Sequence, residues 1–249
     1  PDDDNGKRYL RVTSEGGPIV VEATWEVTRK ELLRKDFRSR GVRPLTAAER
    51  KAMAAYLDSD RFVPVGGVVA ERAEQAARGE KNLLNVARRL YDHVLGSMSY
   101  DKSKPGYGRG DAVWACKSGF GNCTDFHSLF IGMARHKGIP ARFVIGFPLP
   151  AERGEGDIGG YHCWSEFYIP DYDWVPVDIS EADKHPELEQ YYFGAWMENR
   201  VAFTRGRDLV LPGQEDPEPL NYFVYPYLEV DGKAAPDSVK KSFHYEDQR

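Results

Sequence analysis

Cys123 follows Gly121-Asn122 and precedes Thr124-Asp125-Phe126-His127, in a stretch whose apolar spacing predicts a helix opening at the cysteine. His162 comes later, in Tyr161-His162-Cys163-Trp164, on a predicted strand. Asp178 closes Val175-Pro176-Val177-Asp178 on the next strand. Thiol, imidazole and carboxylate in that order supply a nucleophile, a general base and a group that orients the base, the parts of covalent acyl transfer. A helix amino terminus suits the thiol, because its unpaired N–H groups and positive dipole end favour thiolate. The N–H of Cys123 is then free to donate to a developing oxyanion.

These side chains need a scaffold that brings them together. Leu83 to Met98 reads as an amphipathic helix, and the helix from Cys123 to Lys137 buries Phe126, Phe130, Met133 and Ala134 before Gly138 and Pro140 end it. Strands follow at 141–147, 161–169 and 174–179. Alternation puts His162, Trp164, Glu166 and Tyr168 on one face and Cys163, Phe167 and Ile169 on the other, so Cys163 reads as core. The midpoint between 162 and 178 falls on Pro170, and a hairpin centred there sets His162 beside Asp178. Trp174 and Pro176 would shield that pair. The glycine-rich 150–160 reads as a mobile loop next to the histidine.

Upstream, Ile19 to Thr28 alternates as a half-buried strand after a shorter one at Tyr9–Val12, and 29–40 is ambiguous. Thr46 with Glu49 predicts a capping box on a helix to about Leu57. Downstream, Leu220–Val230 is strand-like and Asp231-Gly232 marks a turn. The division expected is 1–78, strands and short helices packed on the core; 79–200, the catalytic core; and 201–249, a β-rich extension.

Composition narrows the function classes. The 249 residues carry 34 basic and 39 acidic side chains, without the basic surplus of a nucleic-acid binder. No apolar run is long enough to cross a bilayer. The polar amino terminus lacks an initiating Met, which leaves room for a removed signal peptide. Three cysteines form no closed disulfide framework, and a Cys116–Cys163 bridge stays open. Cys116, Cys123, His127, His162 and Cys163 match no common zinc module. Each site residue also has a plainer reading: Cys123 as a small buried residue, His162 as a structural hydrogen-bonder, Asp178 as a turn cap. Arg109-Gly110-Asp111 is discounted as a recognition motif. Arg142, Arg200 and Arg205 read as structural before they read as substrate clamps.

Taken together, Gly-Asn-Cys-Thr-Asp-Phe-His-Ser-Leu-Phe, Ala-Arg-His-Lys-Gly-Ile-Pro-Ala-Arg-Phe-Val-Ile-Gly-Phe, His-Cys-Trp-Ser-Glu-Phe-Tyr and Trp-Val-Pro-Val-Asp resemble the bacterial transglutaminase-like superfamily over about residues 80–182. The resemblance implies an α+β, papain-like fold with the nucleophile helix packed on an antiparallel sheet. It makes Cys123 the nucleophile, His162 the base and Asp178 the third member of a triad. Trp114 becomes a candidate oxyanion donor through its indole N–H, with Asn122 and backbone groups as rivals. The implied activity is cysteine-dependent hydrolysis of an amide or peptide bond, with transamidation as a variant and no cofactor or metal. The implied partner is a peptide or protein amide. The competing readings are a catalytically idle binding scaffold and deglycosylation of glycopeptides. Similar bacterial proteins are often exported to the periplasm or beyond, and a free thiol is compatible with either compartment. Oligomeric state is not legible.

Overall fold

The computed structural model describes residues 9–33, 42–152 and 154–248. Its first element is β1 (Leu32–Leu33), followed by α1 (Ala47–Ala52), α2 (Gly67–Ala76), α3 (Leu83–Ser97), β2 (Ser99–Tyr100), α4 (Ala112–Ser118) and β3 (Phe120–Gly121). The central part is α5 (Cys123–His136), β4 (Ala141–Pro148), β5 (Glu155–Asp157), β6 (His162–Ile169), β7 (Asp173–Val177) and α6 (Ile179–Lys184). The chain then gives β8 (Ala195–Trp196), β9 (Arg200–Arg205), β10 (Glu229–Val230), β11 (Lys233–Ala234) and β12 (His244–Glu246).

Strands β7-β6-β4-β9 form one antiparallel sheet in that order. Helix α5 packs on the face carrying Cys163, Phe167 and Ile169, where Phe130 meets Phe167 at a centroid distance of 6.1 Å. Every residue from Cys123 to Arg135 is buried, because α2, α3, α4 and α6 close around the helix from its other sides. The expected α+β arrangement, a nucleophile helix on an antiparallel sheet, is therefore present. Strands β4 and β9 approach closely enough that Gly146 of β4 has no room for a side chain. A Cβ there would collide with the Val201 carbonyl oxygen across the β4–β9 irregularity. Gly146→Ala is expected to cost about 3 kcal/mol in a denaturant titration, at the upper end of core overpacking; an unchanged midpoint would mean that β9 is free to shift.

Local capping agrees with the sequence. Thr46 and Glu49 form the predicted box at α1, although the α-helix ends at Ala52 and a 3₁₀ turn carries on to Tyr56. Asn82 caps α3 through the N–H groups of Leu84 and Asn85. Asp231-Gly232 turns β10 into β11, both residues at positive φ.

Several expectations are corrected. Among the described residues Ile19–Thr28 and Tyr9–Val12 form no strand, and most of their apolar side chains face solvent, Val20 at 93% and Trp25 at 61% exposed. Alternation defines two faces; it cannot supply the neighbour a ladder needs. Among the described residues of this part, β1 finds one in β8. Most of the ambiguous 29–40 stretch lies outside the described residues. The 150–160 segment is no free loop, since β5 pairs with β12. Leu220–Val230 forms a single bridge at Leu220 and then only the short β10.

Candidate active site

The start of α5 is organised by a buried carboxylate. Asp125 accepts the N–H groups of Asn122 at 3.0 Å, Gly108 at 2.7 Å and Gly110 at 2.9 Å. It thereby completes a capping box with Asn122 and pins the 105–111 loop against the helix. This explains Gly121 better than a sharp turn does, since a Cβ there would lie 2.6 Å from the Asp125 side chain. The N–H groups of Thr124 and Asp125 are taken by Asn122, which leaves that of Cys123 with no acceptor from the helix. Asp111 caps α4 and Arg109 lies over the Phe62 ring at 4.1 Å, so the Arg-Gly-Asp triplet is spent on structure.

His162 is the first residue of β6. Its Nε2 lies 2.7 Å from Asp178 Oδ2. The hairpin that carries the pair is centred on Asp171 rather than Pro170, since Ile169 pairs with Asp173. Asp178 is also not on the strand, which ends at Val177. It is the N-cap of α6, and its Oδ1 accepts from the N–H of Glu181 at 3.2 Å and the hydroxyl of Ser180 at 3.1 Å. The plain reading of Asp178 as a cap is thus correct together with the histidine contact, one oxygen serving each. The aromatic beside His162 is Trp164, with centroids 6.3 Å apart, rather than Trp174, whose ring lies under Arg142 at 3.8 Å.

Charge distribution follows from these contacts. Burial opposes the imidazolium of His162, but the Asp178 carboxylate and a hydrogen bond to Cys123 outweigh it and push the pKa up to about 9. Burial likewise opposes the Asp178 carboxylate, yet His162 and Arg200 hold it below the ordinary carboxylate range. The Cys123 thiol is drawn well below its ordinary value, first by a hydrogen bond from Cys163 and then, against burial, by His162. Burial keeps Cys163 itself a thiol, with its Sγ 3.6 Å from Thr124 Oγ1. With Nε2 of His162 committed to Asp178, Nδ1 is the ring nitrogen left for Cys123.

Sequence reasoning passed over His127. It lies one turn after Cys123, fully buried, and its Nε2 accepts the backbone N–H of Ile179 at 3.0 Å. A backbone N–H only donates, so the ring carries its proton on Nδ1, and burial keeps it neutral. His127 thereby fixes the turn that holds Asp178. Its four-residue spacing from Cys123 puts both on one helix face, which alone does not separate it from core. The aromatic neighbourhood was legible only in part: Tyr161 contacts Tyr222 and Tyr225 of the distant 220–227 segment, and its N–H donates to the Tyr225 hydroxyl at 3.2 Å.

The structure thus brings Cys123, His162 and Asp178 together. Trp114 is half-buried on α4, its ring edge-on to Phe120 at 5.2 Å and against Gly106. All three cysteines are free, so Cys116 and Cys163 are not bridged. Arg142 is paired with Glu166 and Arg200 with Asp178 and Glu181, which commits both to structure. Among the described residues no helix is long and apolar enough to cross a membrane.

Parts of the chain match known proteins. A model described as the transglutaminase-like superfamily matches residues 70–179. An uncharacterised protein of Haemophilus influenzae is 32% identical over 223 residues, covering 77% of this chain and 60% of its own length. The uncharacterised YebA of Bacillus subtilis is 25% identical over 201 residues, covering 73% of this chain and 26% of its own. The chain therefore spans well under the full length of these curated relatives. A solved structure from Cytophaga hutchinsonii, assigned by name as a cysteine protease, covers 71% of this chain and 53% of its own with 16% identity and a TM-score of 0.51, a likeness of fold. The matched stretch takes in Cys123, His162 and Asp178, so the chain carries a transglutaminase-like domain over residues 70–179.

Proposed function

We propose that this protein is a cysteine-dependent acyl-transfer enzyme acting on a peptide or protein amide. The observation that carries the reading is the 2.7 Å His162–Asp178 contact beside a thiol at the start of α5. In this reading the Cys123 thiolate attacks the amide carbonyl carbon, a C–S bond forms, and the carbonyl electrons move to oxygen. The Cys123 N–H, with Trp114 as a second candidate, donates to that oxyanion. His162 gives its proton to the leaving nitrogen as the C–N bond breaks. Water then loses a proton to His162 and displaces the thiolate, giving the acid; an amine in its place gives transamidation. The test is acid-quench mass spectrometry of the enzyme with activated amides and esters. An acyl mass on the Cys123 peptide is expected, and turnover without one on that peptide would sink the reading.

A second reading rests on a specific observation: Cys123 is only 3% and His162 only 5% exposed. An idle scaffold, or a closed form of the enzyme, would look like this. The two part on whether any amide is turned over. Deglycosylation would use the same three residues and is distinguished by release of free glycan from a model glycopeptide.

The proposed organisation is a catalytic core at 79–200 walled by flanks at 1–78 and 201–249. Arg207 motivates it, since its guanidinium donates to the carbonyls of Gly110 at 2.8 Å and Arg109 at 3.0 Å, tying the carboxy-terminal part to the loop before Trp114. Limited proteolysis is expected to leave the flanks attached. Release of a stable fragment of about 79–200 with full activity would make them dispensable.

A further inference from the structure

Arg29 keeps two buried guanidinium atoms, Nε and Nη2, without a hydrogen-bond acceptor. They form one edge of the planar group, the edge that takes both oxygens of a carboxylate side-on. Arg43 shows that edge filled: its Nε and Nη2 donate to Oδ2 and Oδ1 of Asp171 at 3.1 and 3.2 Å. In Arg29 the same edge is open.

Its surroundings lie on the sheet face turned away from α5. Direct pairing sets Trp164, Val144 and Arg205 side by side there. Trp196 stands edge-on to Trp164 at 5.2 Å, and Arg29 lies over the Trp196 ring at 5.4 Å. Trp164 is 1% exposed, and its indole Nε1 also lacks an acceptor. Indole and guanidinium only donate, so the open positions all call for oxygens carrying lone pairs. The acid of this face, Glu166, is already taken by Arg142 at 2.6 Å and lies 3.9 Å from Arg205. Three guanidinium groups therefore share one carboxylate. Burial, and then the charge of Arg205, draw the Arg29 pKa down, as expected where negative charge is in deficit.

We propose that the Nε–Nη2 edge of Arg29, with Arg205 and the indole N–H of Trp164, forms a binding site for a small oxyanion, a carboxylate or a phosphate. The site is separate from the acyl-transfer residues and does not depend on their assignment. Arg205, the outer member of the group, has a half-exposed side chain. The oxyanion site adjoins the acyl-transfer residues through Trp164, stacked on His162 with ring centroids 6.3 Å apart, so an occupant would brace that ring.

The test is titration of the whole protein with sodium acetate and, separately, with inorganic phosphate, at ionic strength held constant with chloride. Binding is read by calorimetry and by tryptophan fluorescence, in wild type, Arg29→Met, Arg205→Met, Trp164→Phe and Arg43→Met. Saturable binding of at least one oxyanion is expected, weakened about tenfold or more by Arg29→Met and by a smaller factor in Arg205→Met and Trp164→Phe. Arg43→Met is expected to bind as wild type. Tighter acetate identifies a carboxylate occupant, tighter phosphate a phosphate one. Saturation by neither anion overturns the site, as does wild-type affinity in Arg29→Met. If Arg29→Met fails to fold, wild-type affinity in both Arg205→Met and Trp164→Phe overturns it equally.

Discussion

Cys123→Ala is expected to lower turnover of a good amide substrate by about 10⁴- to 10⁶-fold, the range seen when a covalent nucleophile is removed. The fold should survive. The side chain is small, it sits at the first position of α5, and the capping of that helix rests on Asn122 and Asp125 rather than on the cysteine. Alanine is also the best helix former, so the local cost is slight. Cys163→Ala is the informative control. It deletes the neighbouring thiol that hydrogen-bonds Cys123 but leaves the nucleophile, so it must retain far more activity. Equal loss in the two variants, or full activity in Cys123→Ala, would contradict acyl transfer through Cys123. Substrate turnover and a thermal melt on the same samples separate chemistry from folding.

Asp178→Ala carries the second large effect, a fall of about 10³- to 10⁴-fold in kcat/KM, comparable to loss of the orienting acid in other triads. The carboxylate does two jobs, with Oδ2 on His162 and Oδ1 on the Glu181 N–H and the Ser180 hydroxyl. Alanine removes both, so a stability loss of about 1 kcal/mol from the lost cap accompanies the kinetic one. Asparagine keeps one acceptor oxygen. It can hold the imidazole or cap α6, but not both, and it removes the negative charge. Asp178→Asn should therefore fall between alanine and wild type in rate.

The direction with pH is also fixed. A raised His162 pKa stabilises the fold fully below its ordinary value of about 6.5, and that contribution is lost as pH rises through about 9. In Asp178→Asn the imidazolium loses its main support, so both the loss and the decline of the thiolate–imidazolium pair move to lower pH. An unchanged pH profile in that variant would remove Asp178 from the account.

Much of this was written locally in the sequence. The helix of α5 and the strands β4, β6 and β7 follow from apolar spacing within single segments, and so does the order thiol, imidazole, carboxylate. What the sequence left open depended on partners. Ile19–Thr28 alternates well and still forms no ladder, because none of the described strands lies beside it. The hairpin centre slipped by one residue, and Asp178 left the strand to cap α6, yet the carboxylate still meets His162 because its two oxygens point to different partners. Alternation turned Cys163 away from His162, correctly, but could not show that the opposite face presents Cys123. His127 was masked by its own helix: a buried histidine on an apolar face is indistinguishable from core until Ile179 appears across from it. The contact of Tyr161 with Tyr222 and Tyr225 joins segments some sixty residues apart, and no local pattern reports that.

The central claim is that Cys123 and His162 exist as a thiolate–imidazolium pair. It is tested most directly by alkylating the native protein with iodoacetamide across pH and mapping each cysteine by mass spectrometry, in wild type and His162→Ala. The account predicts selective modification of Cys123 well below the thiol value of about 8.5, a change in its reactivity as His162 titrates near 9, and loss of the low-pH reactivity in His162→Ala. Cys163, fully buried and held as thiol, should stay unmodified until the protein unfolds. If Cys123 is inert across the range, or reacts no differently from Cys116 in wild type and mutant alike, the pair does not exist and the acyl-transfer mechanism falls with it.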